Sequence, residues 1–589
     1  MSVRYAWLLV LVPLVIAFRG SAEDKSPRSV ADFKLVDPRT TKTVSLGDFA
    51  DRKAVVVVFM STVCPVNNAY MNRLNEFQKL YAPQGVQIVG INANHADSTE
   101  DIIEHARTHE LTFPVLRDEG QIVADALGAK RNPEAFVLDA KRVVRYRGRI
   151  DDQFTIDAKK LKQATRDLAD AIESVVAGKE VALKETPASG CLISRAPKPQ
   201  MNTDVTWSKN IATIMQKNCQ ECHRAGQIGP MQLLTYDDVS GWSAMIREVV
   251  SDKRMPPWYA DPRFGHFSND RSLKKDDIDT LIKWIDAGCP KGDLKDEPKP
   301  LVFPDTWRIG KPDMIISMDE EFDVPAEAPK GGIPYQLFVI DPGFKEDMWV
   351  QSSESRAGAP DVVHHVLAYI APPRDRIDPT MPDFPFLPGV KNARVLSGTA
   401  PGDMPMMYPE GAAIRIPAGS SIVFQMHYTP NGKAAKDRSS IGLIFAKKKP
   451  ERAVITVPIF NHRLQLPPGA DNHQIESWFT FKHDAKIYNF MPHMHLRGKD
   501  FQVNLVDLAG KESTQLLIPR YNFNWQNVYR YQEPIPVPKG TKVHCIAHYD
   551  NSSKNPLNPD PTKRVGWGDQ TWQEMMIGWM DMVYDIPPE

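Results

Sequence analysis

Five residues near the middle of the chain, Cys219-Gln220-Glu221-Cys222-His223, constrain its fold more than any other feature. Two thiols three apart followed at once by an imidazole form the attachment pattern of a c-type haem. Cys219 and Cys222 would make thioethers with the haem vinyls, and His223 would be the proximal iron ligand. A bare Cys-x-x-Cys can also be half of a zinc site or a redox dithiol, but zinc needs two more ligands and no second such pair follows within reach. Met255, in Arg254-Met255-Pro256-Pro257-Trp258, is the candidate for the opposite axial ligand, with Met215, Met231 and Met245 as competitors. After it, the stretch from Ser272 to Gly288 sets Ile278, Leu281, Ile282 and Ile285 on one helical face and ends on a glycine suited to a C-cap.

A helix before the haem, a late methionine and a closing amphipathic helix resemble a small cytochrome c, which implies an all-α domain over residues 207–291 holding one covalent haem c. Attachment of such a haem takes place outside the bacterial cytoplasm. The N-terminus supplies a matching address: Arg4, an apolar run from Ala6 to Phe18, and the small residues Gly20, Ser21 and Ala22. Residues 1–22 therefore read as a signal peptide of an exported, periplasmic protein, with an uncleaved anchor as the alternative. No other stretch is apolar enough to span a bilayer.

At 589 residues, 42% hydrophobic and 25% charged, the chain has material for several domains with ordinary cores. A formal net charge of -1 points to no nucleic-acid partner. Six cysteines, two of them in the haem pattern, are too few for a disulfide-stapled scaffold. Two proline- and charge-rich stretches, 185–206 and 292–305, divide the rest into three regions.

The first region, 26–184, alternates strands and helices. Ala54 to Phe59, Val86 to Ile91 and Glu134 to Asp139 read as buried strands, with a helix from Asn67 to Tyr81 between the first two. Cys64 then sits near a helix start, where the dipole favours a thiolate and makes it a candidate catalytic thiol. Strand, Cys64-Pro65, helix, and Asn132-Pro133-Glu134 before a later strand resemble the thioredoxin-like redoxins of the AhpC/TSA type, from about Ser29 to Ala177. That resemblance implies a cis-proline at Pro133 facing Cys64. Asn67 stands where a thioredoxin dithiol has its second cysteine, and Ser61 and Pro133 replace two residues of the peroxidase pattern. Cys191, in the following stretch, is a candidate resolving thiol.

The third region, 306–589, carries separated histidines in alternating apolar runs: His364 and His365 in DVVHHVLAYI, His427 in SIVFQMHYTP, and His493 and His495 in NFMPHMHLRGKD. On a strand, His493 and His495 leave the same face and can take two corners of one metal, with Met494 pointing away. Met575 would add a soft thioether that suits Cu(I), and His364, His365 and His427 form a second, all-imidazole set. The region resembles the ascorbate-dependent type II copper monooxygenases, the group of peptidylglycine alpha-hydroxylating and dopamine beta-monooxygenases. In that resemblance His364, His365 and His427 (within Gln425-Met426-His427-Tyr428) hold the electron-supplying copper, and His493, His495 and Met575, after Glu574, hold the oxygen-activating one.

The resemblance implies two tandem antiparallel, jelly-roll-like β-sandwiches, 306–455 and 456–589, with two copper ions facing across an open cleft. It implies an O2-dependent hydroxylation of a small organic substrate, an ascorbate-like or protein electron donor, and a haem that relays electrons to the copper at His364, His365 and His427. Two other classes stay open: a thiol or peroxide redox protein working through Cys64, with haem and copper modules that are not catalytic, and a purely electron-transferring or copper-binding protein.

Overall fold

The computed structural model describes residues 29–586 apart from 157–159, 161–162, 164, 197–199, 304–306, 330–331, 374, 376–382, 400–404 and 432. The expected signal peptide lies outside the described residues. Among the described residues, no helix is long and apolar enough to cross a membrane.

The first region is a seven-stranded sheet ordered Lys42–Ser45, Lys34–Asp37, Val115–Arg117, Val86–Asn92, Ala54–Met60, Glu134–Asp139 and Val144–Gly148. Its centre is the valine run Ala54–Met60, buried at every position, which pairs parallel with Val86–Asn92 on one side and antiparallel with Glu134–Asp139 on the other. A strand covered on both faces needs no polar alternation, and this one shows none. The expected helix from Asn67 to Tyr81 is instead two helices, Pro65–Ala69 and Met71–Tyr81, broken at Tyr70. The Tyr70 ring is buried and its hydroxyl donates to Asp151 Oδ1 at 2.7 Å, which pins the chain at the break.

The stretch 185–206 is more than a connector. Cys191–Leu192 forms a short antiparallel ladder with Arg131–Asn132, immediately before the cis Asn132-Pro133 bond. Gly190 makes this approach possible: it sits at φ 137°, and a Cβ there would lie 2.0 Å from the Asn132 carbonyl oxygen.

Residues 207–291 are built on Trp207–Ile211, Ala212–Asn218, Tyr236–Gly241, Ser243–Ser251 and Lys275–Asp286, all helical. This segment does not stand alone as the small all-α domain expected. Trp207, Trp242 and Trp284 belong to the same apolar core as the redoxin strands, and Arg131 pairs with Glu248 at 2.8 Å across the junction. On the other side, the segment after Met255 inserts into the C-terminal core. Trp258 and Phe267 pack on Tyr529, and Phe267 bridges to Tyr531. Large apolar side chains facing outward on a short segment are buried against its neighbours rather than within it.

The C-terminal half is rich in antiparallel strands, but its two halves share a sheet. A four-stranded sheet of Gln336–Ile340, Ser421–Tyr428, Val363–Ala371 and Arg394–Thr399 belongs to the first half, and one of His473–Thr480, Lys542–Tyr549, Gly498–Val506 and Glu512–Ile518 to the second. The nine-stranded sheet between them runs through both, because Ala412–Ile416 pairs parallel with Arg452–Phe460. Joining edge to edge removes two exposed strand edges that separate sandwiches would have to protect.

Candidate functional site

His365 and His427 stand directly opposite each other on paired strands. The ladder slips between Val363 and His365, leaving His364 in a bulge. That bulge lets two adjacent residues, which would otherwise point to opposite faces, aim at one point. The ligand atoms of His364, His365 and His427 lie within 4.8 Å of one another. Tyr335 stacks edge-on to His365 and His427, at 5.4 and 5.1 Å between ring centroids, and its hydroxyl donates to the Asp569 carbonyl. Burial, then the field of neighbouring histidines, pushes His364 down to about 4 and His427 down to about 3. The cluster is thus held neutral, the form a metal requires. His365 Nε2 is buried with no hydrogen-bond partner. An orphaned imidazole nitrogen within a three-histidine cluster fits a metal ion.

His493 lies in strand Ala485–Met494 and His495 just beyond it, their rings 5.2 Å apart, while Met494 between them turns into the core. His493 pairs with Ile577 and Met494 with Met576, so the same register carried one residue further sets Met575 opposite His495. His493 Nδ1 meets Gln526 Oε1 at 2.6 Å, and the Gln526 amide nitrogen donates to the Phe523 carbonyl, which fixes the amide orientation. His495 Nδ1 donates to the Gln573 carbonyl at 3.2 Å. With both Nδ1 atoms engaged as donors, both Nε2 lone pairs are left for a metal. The donor set fits copper: two imidazoles and a buried thioether.

Glu574 is fully buried and accepts the backbone N–H groups of His495 at 2.9 Å and Arg497 at 2.7 Å. It thereby fastens the loop before Met575 to the strand end that carries His495. Burial pushes its carboxyl up to about 8, with the Arg497 backbone and guanidinium opposing.

His365, His493 and Met575 line one cleft, partly open to solvent, together with Leu367, Trp579 and Gln425. The expected open gap between the two histidine sets contains a ring. Phe523 stacks on His364 at 5.2 Å and meets His495 edge-on at 5.9 Å. The loop 521–528, with aromatic residues alternating with Asn and Gln, fills the space because it is tied down from the helical segment: Asn527 donates to the Pro257 carbonyl at 2.9 Å and Asn522 to the Tyr259 hydroxyl at 3.3 Å. The chain after Met255 thus meets the loop that carries Phe523 and Gln526.

At the Cys-x-x-Cys-His segment, Cys219 follows helix Ala212–Asn218, and the His223 N–H donates to the Cys219 carbonyl. His223 Nδ1 donates to the Met231 carbonyl at 3.1 Å, leaving Nε2 for iron. Gly229 closes over the ring: a Cβ there would lie 2.7 Å from His223 Nδ1. Burial raises the Cys219 thiol to about 12, so it is not a ready nucleophile, whereas a thioether carries no proton to lose. The residues fit a covalent haem. The Met255 N–H donates to the Val249 carbonyl at 3.1 Å.

Cys64 is the N-cap of Pro65–Ala69 and none of its surface is exposed. Burial pushes its thiol up, but hydrogen bonds from the Cys191 side chain and from the N–H groups of Cys191, Asn67 and Val66 outweigh that and leave it lowered. The N–H of Cys191 reaches Cys64 Sγ at 3.3 Å, and the Cys64 thiol lies 3.1 Å from the Asn132 carbonyl. Asn67 turns its amide to the Ser61 carbonyl at 2.7 Å.

Tyr335, Phe523, Gln526 and Arg497 were not singled out from the sequence. Glu574 was named as the residue before Met575, but not its backbone hydrogen bonds to His495 and Arg497. The other residues lie in irregular loops whose positions no periodicity encodes.

The fold of the first region and its buried cysteine define a thioredoxin-like redoxin domain. Residues 28–147 match the AhpC/TSA family. The chain is similar to the thiol-disulfide oxidoreductase ResA of Halalkalibacterium halodurans, 30% identical over 87 residues, 15% of this chain and 48% of that protein. It is also similar to the thioredoxin-like protein YneN of Bacillus subtilis, 32% identical over 96 residues, 16% of this chain and 55% of that protein. The chain thus spans about half the length of the curated relatives it matches. Among solved structures, a hypothetical protein SMc02350 from Sinorhizobium meliloti 1021 is 33% identical, covering 28% of this chain and 92% of that one with a TM-score of 0.27.

Proposed function

We propose that this chain is an exported, multidomain oxidoreductase whose C-terminal half holds two coppers and hydroxylates a C-H bond of a small organic substrate with O2, fed by electrons through a haem on Cys219, Cys222 and His223. The observation that carries this reading is the convergence of His364, His365 and His427 within 4.8 Å, with His365 Nε2 buried and unpartnered. Copper bound at the two histidine sets would supply one-electron redox chemistry and oxygen activation.

The chain's own residues account for the rest. Gln526 and the Gln573 carbonyl orient the imidazoles of His493 and His495 by holding their Nδ1 protons. Glu574 fixes Met575 against that pair through two backbone hydrogen bonds. Leu367, Ile577 and Trp579 give the cleft an apolar wall, which suits a substrate with exposed C-H bonds. The tie between Asn527 and the chain after Met255 brings that chain against a loop that reaches both histidine sets, through Gln526 on His493 and Phe523 on His364, so electrons passing from the haem would enter through this loop.

A second reading is thiol-disulfide redox activity at Cys64, favoured by the nearness of Cys191 and by the redoxin match, which gives it more outside support than the copper reading has. The two readings concern different domains and separate cleanly. Metal analysis of the purified protein, with oxygen-uptake screening, tests the first: two coppers and reductant-dependent oxygen uptake support it. Protein without copper that still turns over small disulfides would leave only the second.

A further inference from the structure

The thiol that hydrogen-bonds to Cys64 comes from outside the family match, which ends at residue 147. Cys191 arrives on the two-residue ladder with Arg131–Asn132, paired directly with Asn132. The same Asn132 offers its carbonyl to the Cys64 thiol at 3.1 Å, while the Cys191 N–H reaches Cys64 Sγ at 3.3 Å. The position three after Cys64 is Asn67, buried and engaged with the Ser61 carbonyl, so no local dithiol competes. Arg131 holds the segment in place by donating to the Gly190 carbonyl at 2.7 Å while pairing with Glu248 of the helical segment at 2.8 Å.

We infer that Cys64 and Cys191 form a two-electron redox couple that closes to an intramolecular disulfide by exchange with small disulfides. This rests on the thiol reading of Cys64 and names its partner and substrate class. Cys64 is 0% and Cys191 3% exposed, so the face of a folded protein cannot come alongside either sulfur. A small disulfide needs only local opening of a ladder two residues long.

The exchange balances. The Cys64 thiolate attacks one sulfur of R-S-S-R, giving a Cys64-S-S-R mixed disulfide and releasing RSH, which takes up the Cys64 proton. Cys191 sulfur then attacks Cys64 Sγ, and a second RSH leaves with the Cys191 proton. The protein loses two electrons and the small disulfide gains them. The two thiols are differentiated for these roles. Hydrogen bonding lowers Cys64 despite its burial, making it the attacking group, whereas Cys191 is raised well above the usual thiol by donating to Cys64 and by burial.

The test treats the reduced full-length protein with oxidised glutathione, quenches in acid, alkylates and maps every cysteine by mass spectrometry. The expected result is one disulfide-linked peptide pair, Cys64 with Cys191, in the wild type. In Cys191→Ser the expected product is a persistent glutathione adduct on Cys64, and in Cys64→Ser an unmodified Cys191. A wild-type protein that keeps a glutathione adduct on Cys64, or links Cys64 to Cys289 or Cys545, overturns the couple and leaves the thiol reading standing. No modification of Cys64 in the wild type or in Cys191→Ser, although guanidinium-unfolded protein is modified, overturns both. The wild-type arm decides the pairing without depending on any variant's folding.

Discussion

Replacing Gln526 by leucine tests how the protein holds its candidate oxygen-side copper. Gln526 is 3% exposed, and its Oε1 lies 2.6 Å from His493 Nδ1. Leucine fills similar volume but accepts nothing, so the buried imidazole N–H loses its partner at a cost of about 1–3 kcal/mol. The ring can recover part of that by rotating, which points Nε2 away from the metal. Loss of a supporting partner of this kind lowers metal affinity by about 10–100-fold. Copper titration against a competing chelator in a His427→Ala background isolates the His493–His495–Met575 set. The expected result is a loss in that range, while Gln526→Leu with His427 intact leaves the other copper within about twofold of wild type. Unchanged affinity at the His493 set, or equal weakening of both sites, would refute the role given to Gln526.

Gly229→Ala places a methyl 2.7 Å from His223 Nδ1 and 2.6 Å from the Cys222 carbonyl oxygen, so the loop must move off the ring; haem-stained gels of protein from a cytochrome-maturing host should show sharply reduced covalent haem. His105 is pushed down to about 3 by burial and then by His109 and Lys433, well below its ordinary 6.5. A base with a lowered folded pKa loses stability as pH falls below its unfolded value, by about 2 kcal/mol at pH 5 from this group. Urea unfolding of the redoxin signal at pH 7 and pH 5 should show that loss, and His105→Gln should remove it. Phe523→Ala should leave two coppers bound but make the oxygen-side site more open to exogenous azide, read by the optical charge-transfer band, because the ring closes the gap beside His495.

Patterns local in sequence carried much of this structure. The valine run at Ala54–Met60 is buried at every position, as an uninterrupted apolar strand must be, and Glu134–Asp139 has the bounds its composition indicates. His493 and His495 share a side of their strand because the period of a strand is two. The grouping of His364, His365 and His427 was expected, but the bulge that lets two adjacent residues join it was not legible, since the partner strand sets it. Cys191–Leu192 is too short to show any period, and only its partner ladder makes it a strand. The ring of Phe523 and the amide of Gln526 reach their histidines from a loop anchored by Asn527 to Pro257, a contact between residues about 270 apart in sequence. The shared nine-stranded sheet likewise depends on an edge pairing between two halves that sequence reads as separate sandwiches.

The central claim is that the C-terminal half holds copper in two unlike sites, one all-imidazole and one with a thioether. X-ray absorption at the copper edge, on copper-loaded and then fully reduced protein with metal content measured in parallel, tests it most directly. The account predicts two coppers per chain and a sulfur scatterer in the reduced form that disappears in Met575→Ala. Fewer than two coppers in the wild type, or a reduced form with nitrogen and oxygen scatterers alone, would contradict it.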